Sequence, residues 1–400
     1  MLNGKKILLG VTGGIAAYKA VELMREFIKG GAEVKVIMTA NATKFVTPLT
    51  FQTLSGNPVY ADMFSLTEEW EIGHISLADY PDLIVIAPAT ANIIGKVAAG
   101  IADDLLSTAV MASRKPVLFC PAMNVNMYQS EAVKANRALL ESRGFIVLGS
   151  AAGELACGVE GPGRLPDTQD ILETAEMILS PKDLTGEHVL VTAGPTQESL
   201  DPVRFISNHS SGKMGYALAT VATRRGAKVT LISGPTTLPS PCGVNCVRVR
   251  SAVDMRQAVF DHLDEATVII KAAAVADYRP QSVSASKMKK KERSIGLTLE
   301  RNPDIIAEIG RIKGKRILVG FAMETENLIE NAVAKLHEKN MDLIIANDLC
   351  SPGAGFQTDT NIVKIIDSSG DVESLPLMDK KEVANRIFDK LSALRGKVRS

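Results

Sequence analysis

The chain has 400 residues, 46% hydrophobic and 4% aromatic, a composition expected of a soluble globular protein with two or three cores rather than a fibrous or disordered one. Lysine plus arginine and aspartate plus glutamate each total 45, so no overall field favours nucleic acid or a membrane surface, and the expected partners are small molecules or further copies of the chain. No run approaches the ~20 apolar residues that span a bilayer, and the N-terminus lacks a signal peptide's apolar core and cleavage site, so a cytoplasmic protein is expected. The five cysteines, at 120, 157, 242, 246 and 350, are odd in number and dispersed, which argues against a disulfide framework. Cys242 and Cys246 have no second Cys or His pair close in sequence to complete a zinc site.

Residues 7–12 read as a buried strand, Gly13 and Gly14 as a turn, and 15–29 as a helix with a 3.6-residue apolar period. Such a turn lets backbone approach a phosphate at the helix N-terminus, although the spacing is not GxGxxG and a purely structural turn fits as well. Residues 33–38 form the second strand, with Thr39 and Asn41 at its carboxyl end, where open α/β sheets bind ligands. Residues 83–87 are a buried strand followed by proline and then Thr90, Ala91 and Asn92. The strand at 117–120 repeats the pattern, with proline and then Asn124 and Asn126. Two strands thus deliver polar side chains to one sheet edge, which suits a planar heterocycle such as a flavin. Asn124 can equally be a helix cap. His74, in EIGHISLADY, is a lone histidine of a kind more often packed or solvated than catalytic. Cys157 lies in GELACGVEGPGRLP, too rich in glycine and proline for a regular helix or strand, and a thiol there reads as a reactive group on a lid.

Residues 167–179 read as a closing helix, and the polar stretch 180–187 places a domain boundary near 180–186. The chain then starts a second time. Residues 187–192 are a strand with a glycine turn, and SNHSSGKMG feeds a helix over 213–225, offering amides and a lysine to phosphate without P-loop spacing. A strand follows at 227–232, and Ser251 with Asp254 forms a capping box for a helix to 263. Residues 266–280 are a strand running into alanines, with Asp277 at its end as a candidate for Mg2+ or a ribose hydroxyl. The basic run at 284–293 is a solvated surface or a triphosphate clamp. Asn302 reads as an N-cap with Pro303 at the first helical position. Strand 317–321, helix 327–339, strand 343–346 and a hairpin of 361–366 with 372–375 complete the chain. Lys335 and Lys339, four apart, share one helix face. The fold class is therefore α/β, as two doubly wound domains.

In order, GGIAAYK, GHISLA, PATAN, ADDLLST, PAMNVNMY and GELACGVEGPGR resemble the FMN-dependent cysteine decarboxylases that act on 4'-phosphopantothenoylcysteine. AGPTQE, DPVRFISNHSSGKMG, AAAVADYRP, KMKK, NPDI, GFAMET and ANDL resemble the CTP-using bacterial phosphopantothenate–cysteine ligases. The resemblance implies a flavodoxin-like flavoprotein domain over 1–180 and a Rossmann-like ligase domain over 181–400, fused as in the bifunctional enzymes of coenzyme A synthesis. It implies FMN held by Gly13, Gly14, Ile15, Ala16, Thr39, Thr90, Asn92 and Ser107. His74 would assist oxidation and decarboxylation, Asn124 would hold the substrate carboxylate, and Cys157 would donate the last proton; a thiol of pKa ~8.5 is mostly protonated at neutral pH. In the ligase half it implies CTP among Ala273, Ala274, Asp277, Asn302, Pro303, Asp304, Ile305, Phe321, Lys335 and Lys339, with Mg2+ at Asp277. Lys287 would neutralise charge during cytidylyl transfer, and Arg204 and Asn208 would handle the acyl-cytidylate. The implied substrates are 4'-phosphopantothenate, L-cysteine and CTP, and the implied assembly is a homo-oligomer, a dodecamer. A flavin-binding regulatory or assembly protein without turnover is the alternative, against which His74, Asn124 and Cys157 stand together. A nicotinamide reductase is disfavoured, because no acidic residue ends the second strand.

Overall fold

The computed structural model describes residues 2–63, 73–154, 160–288, 296–324, 328–348, 355 and 357–399. The chain forms two compact units, Met1–Ser180 and Pro181–Ser400. Among the described residues no helix is long and apolar enough to cross a membrane.

In the first unit, near-continuous apolar runs make strands that are buried on both faces, as a parallel sheet covered by helices requires. They are β1 (Lys6–Val11), β2 (Glu33–Met38), β3 (Val59–Tyr60), β4 (Leu83–Ala89), β5 (Val117–Pro121) and β6 (Ile146–Val147), in the order β3-β2-β1-β4-β5-β6, with every pair parallel. Without the two-residue β3 this is the flavodoxin-like order, and it reverses direction between β1 and β4, where such sheets bind ligands. The helix Ala17–Lys29 buries Ala17, Ala20, Leu23, Met24 and Phe27 against the sheet, a three-and-four spacing that leaves its other face to solvent. It starts two residues later than its apolar period suggests, because residues 15 and 16 remain in the turn.

One expectation fails here. The glycine- and proline-rich stretch around Cys157 does contain regular structure: β7 (Ala151–Glu154) pairs antiparallel with β8 (Glu160–Arg164). Its glycines serve the pairing. Gly163 has φ +131°, and a Cβ there would lie 2.4 Å from the Met123 carbonyl oxygen, so only glycine lets β8 press on the segment carrying Asn124. The Met123 amide donates to the Gly163 carbonyl at 2.9 Å. Cys157 itself lies outside the described residues.

In the second unit the strands are β9 (His188–Ala193), β10 (Gln197–Ser199), β11 (Phe205–Ser207), β12 (Lys228–Ser233), β13 (Asn245–Arg248), β14 (Val268–Lys271), β15 (Tyr278–Pro280), β16 (Leu299–Arg301), β17 (Ile317–Glu324), β18 (Leu343–Asp348), β19 (Thr360–Asp367) and β20 (Val372–Asp379). The main sheet runs β13-β12-β9-β14-β17-β18-β19-β20. Its first six strands are parallel in the Rossmann order, and the terminal hairpin β19–β20 extends it antiparallel. Two small antiparallel ribbons, β10–β11 and β15–β16, stand outside it. Ser251 and Asp254 form the expected capping box on the helix Ala252–Asp261. The cap expected at Asn302 sits instead at Asp304, whose Oδ1 accepts the Ala307 amide at 3.2 Å to open the helix Ile305–Ile312. The proline that follows disfavours a helical Asn302, and its backbone amide instead donates to the Asp277 carbonyl at 2.9 Å.

A buried cation ties the ends of this unit together. Arg225, 2% exposed, donates from Nε and Nη2 to both oxygens of Asp183 and from Nη1 to Asp389 at 2.7 Å and the Asn385 carbonyl at 3.1 Å. The Arg225 guanidinium holds the Asp183 carboxyl below the usual carboxylate range, against the opposing effect of burial. Arg225→Ala is expected to lower the unfolding free energy of the ligase unit by about 1.5–3 kcal/mol, the usual worth of hydrogen bonds to charged groups, since the carboxylates it leaves are partly open to water. A depressed folded-state pKa contributes stability that is fully present above the unfolded value of ~3.9 and is lost as pH falls through the folded value. Denaturant titrations of Arg225→Ala should therefore lose this part of the acid sensitivity; an unchanged pH dependence below 4 would contradict the pairing.

Candidate functional sites

The first unit has a cavity of about 1080 Å³ at the carboxyl edge of its sheet, bounded by the turn after β1, the ends of β2, β4 and β5, and the end of β8. Gly13, Gly14, Ile15, Ala16, Thr39, Thr90, Asn92 and Asn124 all line it. The Thr12 hydroxyl donates to the Pro88 carbonyl at 2.6 Å, and the Thr90 amide donates to the Thr12 hydroxyl at 3.2 Å, which locks the ends of β1 and β4 side by side. A Cβ on Gly13 would lie 2.4 Å from the Asn41 Cβ, so the turn closes onto the end of β2 only because position 13 is glycine. Beyond it the Ala17 and Lys19 amides donate to the Gly14 and Ala16 carbonyls at 2.9 and 3.0 Å, which fixes the turn against the start of the helix Ala17–Lys29, the end of a helix that favours a phosphate. A glycine cradle at a helix N-terminus, with amide and hydroxyl side chains around a roomy cavity, fits a flavin mononucleotide.

Asn124 does cap a helix: its Oδ1 accepts the Asn126 amide at 2.8 Å ahead of Val125–Gln129, while the residue also lines the cavity, so the two readings coexist. Ser107 is fully buried and does not line the cavity; its hydroxyl donates to Asp104 at 2.9 Å within a capping box. Asp104 does line it, paired with Lys96 at 2.8 Å. Burial raises the Asp104 carboxyl, but Lys96 and Ser107 outweigh that and hold it below the usual range. Sequence reading missed this pair, although an ADD following a helix that carries a lysine was a visible signal. His74 lies in the helix Gly73–Asp79.

The second unit has a smaller cavity of about 390 Å³. Asn208, Ala273, Ala274, Asp277, Phe321, Lys335 and Lys339 line it, together with Ser210, Ser211, Gly212 and Lys213 at the start of the helix Lys213–Arg224. The alanine segment after β14 is stitched to the turn after β9. Thr192 and Thr196 hydroxyls accept the amides of Ala273 (3.2 Å) and Ala276 (3.0 Å), and Asn208 Nδ2 donates to the Ala274 carbonyl at 3.0 Å. Gly215 packs the helix on β9, since a Cβ there would meet the Ala193 Cβ at 2.5 Å.

The run Asn302, Pro303, Asp304 and Ile305 supports this cavity without lining it. Asn302 Nδ2 donates to the Ala276 carbonyl at 2.8 Å, Asp304 pairs with Lys339 at 2.8 Å, and Ile305 is core. Arg204, on the segment between β10 and β11, and the exposed Lys287 also lie off the cavity wall. Lys271, which sequence reading missed, lines the cavity at the end of β14. Burial pushes its amine below the ordinary lysine value; Asp304 and Asp277 pull it back, while Lys339 and Lys335 act with burial. Its only sequence signal was a lysine closing an otherwise apolar strand. Lys213 is engaged by Asp359 at 2.7 Å and the Gln357 carbonyl at 2.8 Å. Among the described residues no group of three or more His, Cys, Asp or Glu could hold a metal unaided. Asp277 offers one carboxylate, which suits an ion that a nucleotide's phosphates help to bind.

Residues 1–180 match the Flavoprotein family, and residues 184–394 match the family described as DNA/pantothenate metabolism flavoprotein C-terminal domain. The coenzyme A biosynthesis bifunctional protein CoaBC of Bacillus subtilis (strain 168) is 49% identical over 398 residues, covering 98% of each chain. Its counterpart in Escherichia coli (strain K12) is 46% identical over 395 residues, covering 98% of this chain and 97% of the relative. A crystal structure of the C-terminal domain of a CoaBC protein is 45% identical, with a TM-score of 0.47, covering 54% of this chain and 99% of that one.

Proposed function

The chain belongs to the family of bifunctional coenzyme A biosynthesis proteins, flavoproteins that join a decarboxylase and a ligase on one polypeptide, and we propose that the two reactions divide between its two units. The observation that carries this reading is the pair of unlike cavities. One is a glycine cradle with amide and hydroxyl side chains; the other is a lysine-lined pocket with one aspartate, Asp277.

The unit Pro181–Ser400 takes 4'-phosphopantothenate, CTP and L-cysteine. Amide formation from a carboxylate needs a leaving group, so the carboxylate attacks the α-phosphorus of CTP, pyrophosphate departs, and the cysteine amine displaces cytidylate from the acyl-cytidylate. Lys335, Lys339 and Lys271 line the cavity and face the polyphosphate; Asp277 would hold Mg2+ with the phosphates, and Lys287, which stands off the cavity wall, neutralises the charge that develops on transfer. Arg204 and Asn208 hold the acyl-cytidylate for the second step. Ala273 and Ala274 admit the nucleotide closely because they are small, and Phe321 offers it an apolar surface. Asn302, Pro303, Asp304 and Ile305 shape this site from behind.

The unit Met1–Ser180 takes the product, 4'-phosphopantothenoylcysteine, and releases 4'-phosphopantetheine and CO2. When bound, FMN supplies the hydride uptake and return without which loss of this carboxylate would leave an unstabilised carbanion. Gly13, Gly14, Ile15 and Ala16 cradle its phosphate; Thr39, Thr90 and Asn92 face the rest, and Ser107 acts through Asp104. Asn124 holds the departing carboxylate, His74 assists the steps before CO2 leaves, and Cys157 protonates the carbon at the end.

The protein works in the cytoplasm as a homo-oligomer, a dodecamer. Exposed apolar side chains support association: Ile15, Tyr18 and Leu49 on the first unit, and Val203, Phe205, Tyr278 and Leu299 on and beside the small ribbons of the second. The division of labour is tested by Gly13→Ala, whose Cβ cannot be placed without moving the Asn41 backbone. The purified variant should be colourless and release CO2 at least about 100-fold more slowly, while forming amide from CTP normally. A yellow variant with normal CO2 release would refute the cradle.

A further inference from the structure

The segment carrying Lys287 is pinned to the turn carrying Arg204, and the pin is a buried acid. Asp201 is 2% exposed. Its Oδ1 accepts the amides of Val203 and Arg204, each at 2.8 Å, and Arg204 Nη1 lies 3.9 Å from Oδ2. Those local bonds are what an aspartate closing its own turn makes anywhere. The informative bond is long-range: Oδ2 accepts the Met288 amide at 3.1 Å, from 87 residues away. Beside it the Leu200 carbonyl accepts the Ser284 amide at 3.0 Å, and the Leu200 amide donates to the Arg204 carbonyl at 2.9 Å. The stretch from Ser284 to Met288, which carries Lys287, is thus fastened to residues 200 and 201 at both of its ends. Burial opposes the Asp201 charge, but the amides of Val203, Met288 and Arg204 outweigh it and hold the carboxyl below the usual range.

We propose that Asp201 is a positioning residue of the ligase reaction, fixing Arg204 and Lys287 at a set separation by sharing one carboxylate between their two segments. The proposal rests on the reading that those two cations act on the nucleotide and the acyl-cytidylate. Asp201 does not line the cavity. A carboxylate suits the task because each oxygen accepts from a different segment, and charge-assisted bonds to backbone amides are stronger than neutral ones. Asparagine keeps the size but offers an NH2 where Met288 presents its N–H, so the long-range bond is lost while the local turn survives.

The test uses the full chain and four readouts: pyrophosphate release, amide formation, amide hydrogen exchange at Met288, and CO2 release from supplied 4'-phosphopantothenoylcysteine. Asp201→Asn should lower kcat for pyrophosphate release about 10- to 100-fold, as expected for a misplaced charged group, and change KM for CTP less. Exchange at Met288 should quicken, and CO2 release should not change. Met288→Pro removes the same bond from a half-buried position and should reproduce the kinetic defect even if Asp201→Asn folds poorly. The double variant should then be no worse than the more impaired single variant. Wild-type kcat in Asp201→Asn or in Met288→Pro, or multiplicative effects in the double variant, would overturn the proposal. Normal pyrophosphate release by Lys287→Ala would instead overturn the underlying assignment, and exchange at Met288 in Asp201→Asn tells the two failures apart.

Discussion

Asn208→Asp chains should release pyrophosphate from CTP and phosphopantothenate near the normal rate and yet form at least about 100-fold less amide. The Asn208 side chain donates to the Ala274 carbonyl at 3.0 Å, which orients the amide on the cavity wall beside the alanine segment. Aspartate has no hydrogen to donate, so it would set a carboxylate against that carbonyl and also against an anionic acyl-cytidylate. Losing one donor aimed at developing negative charge typically costs 10²–10³ in rate, and added repulsion makes the upper part of that range the expected one. Attack on the α-phosphorus depends on the lysines instead, so the first half-reaction should survive. A normal amide yield, or equal loss of pyrophosphate and amide, would remove Asn208 from the second step.

Cys157→Ser should separate the other reaction in the same way. Carbon dioxide is released, but the unreduced ene-thiol accumulates and 4'-phosphopantetheine falls by about 10²–10⁴, the usual worth of a positioned general acid. A serine hydroxyl is a far weaker acid than a thiol and cannot give up its proton at neutral pH. In sequence Cys157 falls between β7 and β8, which pair antiparallel. The contact of Gly163 with Met123 brings the base of this ribbon against Asn124, which also lines the flavin cavity. Quantitative product from Cys157→Ser would reject the assignment, and a variant that fails to release CO2 would place the thiol earlier in the reaction.

Much of this arrangement is legible in the chain because two strong local signals coincide. Apolar runs such as KILLGV and HVLVTA can only be strands covered on both faces, and the polar residues that follow them must gather at the carboxyl edge of a parallel sheet. Thr39, Thr90, Asn92 and Asn124 were found this way, and all four line one cavity. What escaped depends on long-range partners. Lys271 reads as a strand end until Lys335, Lys339, Asp277 and Asp304 surround it, and Lys96 gains its place from Asp104. The β7–β8 ribbon was hidden because its glycines argue against a strand locally, yet tertiary contact with Met123 and Val125 requires them. Asn302 looked like a cap by spacing alone; the structure spends its amide on the Ala276 carbonyl and leaves the cap to Asp304.

The most direct measurement is 4'-phosphopantetheine formation from phosphopantothenate, cysteine and CTP in an equimolar mixture of Asn208→Asp and Cys157→Ser chains. Each variant alone should make almost none. If each unit houses one complete reaction, the mixture should restore flow, since amide made by one chain is decarboxylated by the other. A mixture as inactive as either variant, although each retains its spared reaction, would contradict independent sites joined only by a diffusing intermediate.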